Sequence, residues 1–79
     1  MNTVMDPVMD GIVLLLATSL EENKIVAELF TFECEIGIVL NDSSFVKKSK
    51  EIITSIIEKV EVNAIVMSNN NLVLVSLPD

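Results

Sequence analysis

Residues 10–24 read DGIVLLLATSLEENK, and the structure of this stretch decides the fold of the chain. Every residue from Ile12 to Ala17 is apolar. The run is too short to cross a bilayer, which takes about 20 apolar residues. A secretion signal has basic residues before its apolar run, and here no basic residue precedes the run. Because the run is short and both its odd and its even positions are apolar, it predicts a central strand buried on both faces.

The flanking residues support two interpretations of the first half of the chain. Residues 1–10 are expected to form an irregular lead-in that ends in a turn at Asp10-Gly11. The segment Leu20–Phe32 has a polar stripe at helical spacing, and Ser19 with Glu22 has the spacing of a capping box, so a helix is favoured. The alternative is a hairpin that turns at residues 21–23.

The second half of the chain has clearer signals. Ile36–Leu40 is a short apolar run that predicts a strand, and residues 41–44 (NDSS) break that strand and can cap a helix. Residues 45–60 place Ile53 and Ile56 on one apolar stripe, which predicts an amphipathic helix with these two side chains in the core. Residues 64–67 and 72–77 flank SNNN, the pattern of a hairpin.

These elements predict one small domain over residues 1–79, of the α/β or α+β class, with helices on one face of a small sheet. The favoured element order is β-α-β-α-β-β, and the alternative is β-β-β-α-β-β. No internal repeat is apparent in the sequence.

The charge composition excludes several functions. The chain contains twelve Asp and Glu residues, five Lys and no Arg, so its net charge is -7. Phosphate binding relies on Lys and Arg, so we expect no direct contact with nucleic acid or with an anionic membrane. The chain also lacks His, the commonest general base and metal ligand. We therefore expect no enzyme activity, no cofactor and no metal.

The only cysteine, Cys34, lies between Glu33 and Glu35. Neighbouring carboxylates disfavour a thiolate, so we expect a structural, unreactive thiol. A single cysteine also forms no internal disulfide, and without a secretion signal a cytoplasmic location is the default expectation.

One candidate ligand site stands at the start of the predicted second helix. Ser43, Ser44 and Lys47 could bind a small anion there, because a helix N-terminus presents free N–H groups and a partial positive charge. The competing interpretation is that Asp42 or Ser43 simply caps the helix.

Hydrophobic residues make up 51% of the chain, with a mean hydropathy of +0.59. A domain of this size buries only about 60–65% of the surface of its unfolded chain. We therefore expect the sheet to keep an exposed apolar face, and the segment Leu72–Leu77 to form an exposed edge without charged residues. A second copy of the chain would cover this face or edge in a homodimer. The predicted function is a non-enzymatic interaction or regulatory module whose acidic surface meets a basic protein. The alternatives are a small anion- or metabolite-binding domain, and an acidic inhibitor that mimics nucleic acid.

Overall fold

The described part of the chain begins with a helix, which includes the run Ile12–Ala17 that the sequence predicts as a strand. In the computed structural model, which describes residues 7–78, helix α1 spans Pro7–Glu22. The predicted irregular lead-in is therefore wrong for residues 7–10, and its first six residues lie outside the described part. Proline suits the first position of a helix, where its missing N–H has no partner to lose.

Helix α1 buries a stripe with the spacing of an amphipathic helix: Met9, Ile12, Leu16 and Leu20. The sequence hides this stripe because apolar residues also occupy the solvent side, where Leu14 is 67% exposed and Leu15 is 45% exposed. A short run that is apolar throughout does not distinguish a strand from a helix.

Helix α1 ends without a glycine. Lys24 takes the left-handed conformation with φ 59°, the Lys24 N–H donates to the Glu21 carbonyl, and the Ile25 N–H donates to the Leu20 carbonyl. This pair of bonds is the Schellman termination. Strand β1 follows at Ala27–Phe32, so the predicted helix over residues 20–32 is wrong. The alternative, a hairpin, correctly predicts a strand in this segment. Its turn at residues 21–23 is wrong, because these residues lie at the end of α1.

The rest of the chain follows the prediction closely. Strand β2 spans Glu35–Leu40, a single 3-10 turn covers Ser43–Phe45, and helix α2 spans Val46–Lys59. Strands β3 (Ile65–Asn69) and β4 (Leu72–Ser76) form the C-terminal hairpin.

The four strands form one antiparallel sheet with the order β1-β2-β4-β3. Helix α1 packs on α2 and β1, and α2 packs on β3 and β4. The class is therefore α+β, as predicted, but the order α-β-β-α-β-β differs from both predicted orders. The uncharged edge is also misassigned, because β4 lies inside the sheet and β3 forms its edge.

The core lies between the helices and one face of the sheet. Ile53 is fully buried and Ile56 is 9% exposed, which confirms both predicted core positions. Phe45, the first residue of the helix predicted over residues 45–60, is 39% exposed because it precedes α2 in the 3-10 turn. The buried apolar residues of the sheet are Ile36, Ile38, Leu40, Val73 and Val75.

The described chain consists of two units with the same α-β-β architecture, although no repeat is apparent in the sequence. A shift of 37 residues carries Lys24 onto Glu61 and Glu33 onto Asn70, and these are the four described non-glycine residues with positive φ. The same shift carries the termination of α1 onto that of α2, where the Val62 N–H donates to the Ile57 carbonyl.

The repeat is one of burial rather than of identity. Leu16 and Ile53 are equivalent and fully buried, and so are Ile36 and Val73, yet few residue types coincide. Two equivalent bonds join the halves: Leu40 N–H donates to Asn71 O, and Leu77 N–H donates to Cys34 O. The halves are thus related by an approximate two-fold axis that crosses the sheet between β2 and β4.

Candidate interaction surface

Within residues 7–78, one face of the sheet carries no helix. Along β2, Ile36, Ile38 and Leu40 are buried beneath the helices, and the alternate residues point to the opposite side. The strand register extends this alternation across all four strands. We call the resulting surface the open face, and it consists of Glu28, Phe30, Phe32, Glu35, Gly37, Val39, Leu72, Leu74, Ser76, Ile65, Met67 and Asn69.

The open face is apolar and exposed. Phe32 is 71% exposed, Ile65 64%, Met67 57% and Phe30 55%. Four strands about 4.8 Å apart and about 20 Å long give the face a flat footprint of about 400 Å². Monomeric proteins rarely expose contiguous apolar patches larger than a few hundred Å², and the largest such patch on a protein is often functional. The prediction that one apolar face of the sheet stays uncovered by the helices is confirmed.

The residues of the open face form three rows that run across the strands. The central row contains Phe30, Gly37, Leu74 and Met67 in the order β1-β2-β4-β3, and it is wholly apolar. The row nearest the β3–β4 turn contains Glu28, Val39, Leu72 and Asn69. The row nearest the β1–β2 turn contains Phe32, Glu35, Ser76 and Ile65.

Polar groups on the open face lie only in the two outer rows. Glu28 is exposed, and Glu35 is half-buried and accepts a hydrogen bond from Ser76 Oγ at 3.4 Å. The open face therefore has an apolar centre between two partly polar rows, the arrangement of protein interfaces. None of its twelve positions is a lysine.

The residues of the predicted anion site lie around the 3-10 turn. Ser43 and Ser44 are exposed in the turn, and exposed Lys47 lies in the first turn of α2. Asp42 caps the turn by accepting a hydrogen bond from the Ser44 N–H at 2.9 Å. The hydrogen bonds from Ser44, the backbone N–H foremost, hold the pKa of Asp42 below its ordinary value. An anion would compete with this carboxylate, so the geometry favours the cap.

A second exposed patch lies on the outer side of α1. Leu14 and Leu15 are exposed there, and Asp10, Glu21 and Glu22 are the charged residues of the helix. The outer side of α2 differs, since it carries Lys47 and Lys48 together with acidic residues. Helix α1 therefore presents acidic and apolar side chains to solvent without any lysine.

Cys34 lies in the β1–β2 turn, half-buried, and packs against the core. Its backbone carbonyl accepts the Leu77 N–H at 2.8 Å, which ties the turn to the end of β4. The inertness of the thiol stays a prediction.

Within residues 7–78, no helix is both long and apolar enough to cross a membrane. Among the same residues, no group of three or more His, Cys, Asp or Glu side chains is placed to hold a metal ion. The sequence matches no protein family model and no curated protein.

Proposed function

We propose that the protein is a non-enzymatic interaction module that assembles as a homodimer through the open face. The observation that carries the proposal is the exposure of Phe30, Phe32, Ile65 and Met67, each more than half exposed on one flat sheet face. Burying one such side chain is worth about 1.5–3 kcal/mol. A partner that covers this face is therefore bound more tightly, because its binding removes these apolar side chains from water.

The area of the open face is sufficient for a weak but specific dimer. Two footprints of about 400 Å², enlarged by the relief of the side chains, bury on the order of 1,000 Å² of accessible surface, at the lower end of specific interfaces. Association also costs translational freedom and side-chain order. We therefore expect weak association, with a dissociation constant on the order of micromolar.

A second copy suits the open face better than a basic protein does. The central row has no charge to pair with, and the carboxylates of Glu28 and Glu35 lie only in the outer rows. A two-fold dimer needs a self-complementary patch, which an apolar centre provides. Each copy carries a net charge of -7, so added salt should tighten the dimer by screening their repulsion.

Sedimentation equilibrium tests the proposal with two matched variants. Phe30→Lys places a charge in the central row of the open face, whereas Leu14→Lys places the same charge on the outer side of α1. We expect the wild type and Leu14→Lys to dimerise and Phe30→Lys to remain a folded monomer. The proposal would be refuted by a wild type that stays monomeric at about 100 μM, roughly 100 times the expected dissociation constant. It would also be refuted by a Phe30→Lys variant that dimerises with unchanged affinity.

The outer side of α1 supports a second role, the binding of a basic protein. Exposed Leu14 and Leu15 beside Asp10, Glu21 and Glu22 offer apolar contact and negative charge together. A partner helix with leucine and lysine side chains would complement both. Titration of the wild type with a basic amphipathic peptide should show salt-sensitive binding that Leu14→Lys abolishes without dissociating the dimer. Binding that Leu14→Lys leaves unchanged would exclude α1 as the site.

The anion-binding alternative rests on Ser43, Ser44 and Lys47 alone. Its test is thermal unfolding in the presence of phosphate: an upward shift that Ser43→Ala removes would support a site. An acidic mimic of nucleic acid remains a weaker alternative, because the exposed carboxylates are spread over both helices and the turns.

A further inference from the structure

We infer that, given the proposed dimer, its two-fold axis runs parallel to the strands, so that β1 of one copy lies over β3 of the other and β2 lies over β4. This inference rests on the proposed function and adds the orientation of the two copies. It follows from the chemistry of the residues that each possible axis brings face to face.

Two aligned arrangements are possible when two sheets of this kind pack face to face, since aligned sheets keep their strands within about 30° of each other. An axis parallel to the strands exchanges the strands and keeps each row over the same row. An axis perpendicular to the strands keeps each strand over itself and exchanges the two outer rows. The register of the sheet fixes which residues meet in each case.

The parallel axis matches the outer rows by polarity. Glu28 meets Asn69 of the other copy, whose amide can donate to the carboxylate, and Val39 meets Leu72. In the other outer row, Glu35 meets Ser76 and Phe32 meets Ile65. Polar side chains therefore face polar side chains, and apolar side chains face apolar ones.

The perpendicular axis gives mismatched pairs in the outer rows. Glu28 would meet Phe32 of the other copy, and Val39 would meet Glu35. Each dimer would then press four carboxylates against apolar side chains, and an unpaired buried charge is costly. This mismatch argues against the perpendicular axis.

The central row supports the same orientation by size. With the parallel axis, Gly37 meets Leu74 and Phe30 meets Met67, so each copy places a large side chain over the gap at Gly37. With the perpendicular axis, Leu74 would collide with Leu74 while Gly37 faced Gly37 across a void.

Within residues 7–78, no contact or backbone angle requires residue 37 to be a glycine. Its φ is not positive, and among these residues a Cβ added there would meet only Leu72 Cδ1, at 4.0 Å, an ordinary contact. Glycine weakens a central strand, so the missing side chain points to something that occupies its place from outside. Leu74 of the other copy fits that requirement.

A charge-pairing experiment tests the orientation. Asn69→Lys should tighten the dimer roughly ten-fold, because each dimer gains two exposed ion pairs with Glu28. Glu28 and Asn69 lie on opposite edge strands, about 14 Å apart within one chain, so the gain cannot arise inside a copy. Adding Glu28→Gln should remove the gain. Asn63→Lys, at an exposed position off the open face, controls for the reduced net charge.

Gly37→Ala provides a second measurement with opposite expected signs. The parallel axis predicts a weaker dimer, because the new methyl group occupies the place of Leu74, and the perpendicular axis predicts a tighter dimer, because it fills a void. Dimerisation with neither a Glu28-dependent gain in Asn69→Lys nor a loss in Gly37→Ala would overturn the inferred orientation and leave the proposed function standing. A wild type that stays monomeric would overturn the proposed function itself.

Discussion

Ser49 presents a buried hydroxyl whose removal should stabilise the protein. It is fully buried in α2, and within residues 7–78 its Oγ has no hydrogen-bond partner. The equivalent position in the first half of the chain is Ile12, which is 3% exposed and apolar. The site therefore belongs to the core, and within residues 7–78 no protein group compensates the hydroxyl for its burial.

The magnitude follows from two contributions. A buried unsatisfied polar group costs about 1–3 kcal/mol, and alanine has a helix propensity up to about 0.7 kcal/mol better than serine. We expect Ser49→Ala to raise the free energy of unfolding by about 1.5 kcal/mol. For a domain of this size that corresponds to a rise in Tm of roughly 6–12 °C.

Urea unfolding followed by circular dichroism measures this effect, with all variants at one protein concentration because dimerisation adds to stability. Ser55→Ala, exposed on the same helix, is the matched control and should gain only about 0.5 kcal/mol from propensity. A Ser49→Ala variant that is less stable than the wild type would show that the hydroxyl does have a partner, and would refute the reasoning.

Three further predictions concern the fold. Ile53→Ala and Leu16→Ala should each cost about 2–5 kcal/mol in urea unfolding, and by similar amounts, because the two residues are equivalent in the repeat; a loss in only one of them would contradict the equivalence. Lys24→Gly and Glu61→Gly should each stabilise by about 1 kcal/mol, since both positions have positive φ; a drop in Tm would show that the side chains matter more than the backbone. The folded-state pKa of Asp42 is depressed, so its charge contributes stability that is present above the unfolded pKa and is lost as pH falls through the folded value. Asp42→Ala should therefore be less stable than the wild type at pH 7, and this difference in stability should become smaller once the pH is well below about 4; a difference that stays constant with pH would contradict this origin.

The second half of the chain could be predicted because its signals are local. In α2, Ile53 and Ile56 stand on one stripe and the lysines on the other side, so the helical period is visible in the sequence. The turn between β3 and β4 contains Asn70, which takes positive φ as its residue type allows. Each of these features depends on a few neighbouring residues.

The first half could not be predicted in the same way because tertiary packing overrides its local pattern. Leu14 and Leu15 face solvent on α1, which conceals the buried stripe, and Lys24 ends the helix in a conformation that favours glycine. The two halves of the sequence do contain a signal for the first helix, namely the match of apolar positions between residues 7–42 and 44–79. This match aligns Leu16 with Ile53. The helix of the second half then predicts the helix of the first.

The open face was anticipated as an apolar surplus but its residues were not. In β1, Phe30 and Phe32 flank polar Thr31, but apolar Leu29 precedes Phe30, so the alternation expected of a strand is incomplete in the sequence. The pairing of Gly37 with Phe30 and Leu74 depends on strand order, which the sequence does not display.

The most direct test of the account is a nuclear Overhauser measurement on Met67, made in a sample that mixes methionine-methyl-labelled and phenylalanine-labelled copies. Met67 and Phe30 lie on opposite edge strands, about 14 Å apart within one chain, and they meet only across the proposed dimer interface. We expect a contact between the Met67 methyl group of one copy and the Phe30 ring of the other, lost on dilution, while the buried Met9 methyl group stays unchanged. A Met67 signal that shows no contact between copies and no change on dilution would contradict dimerisation through the open face.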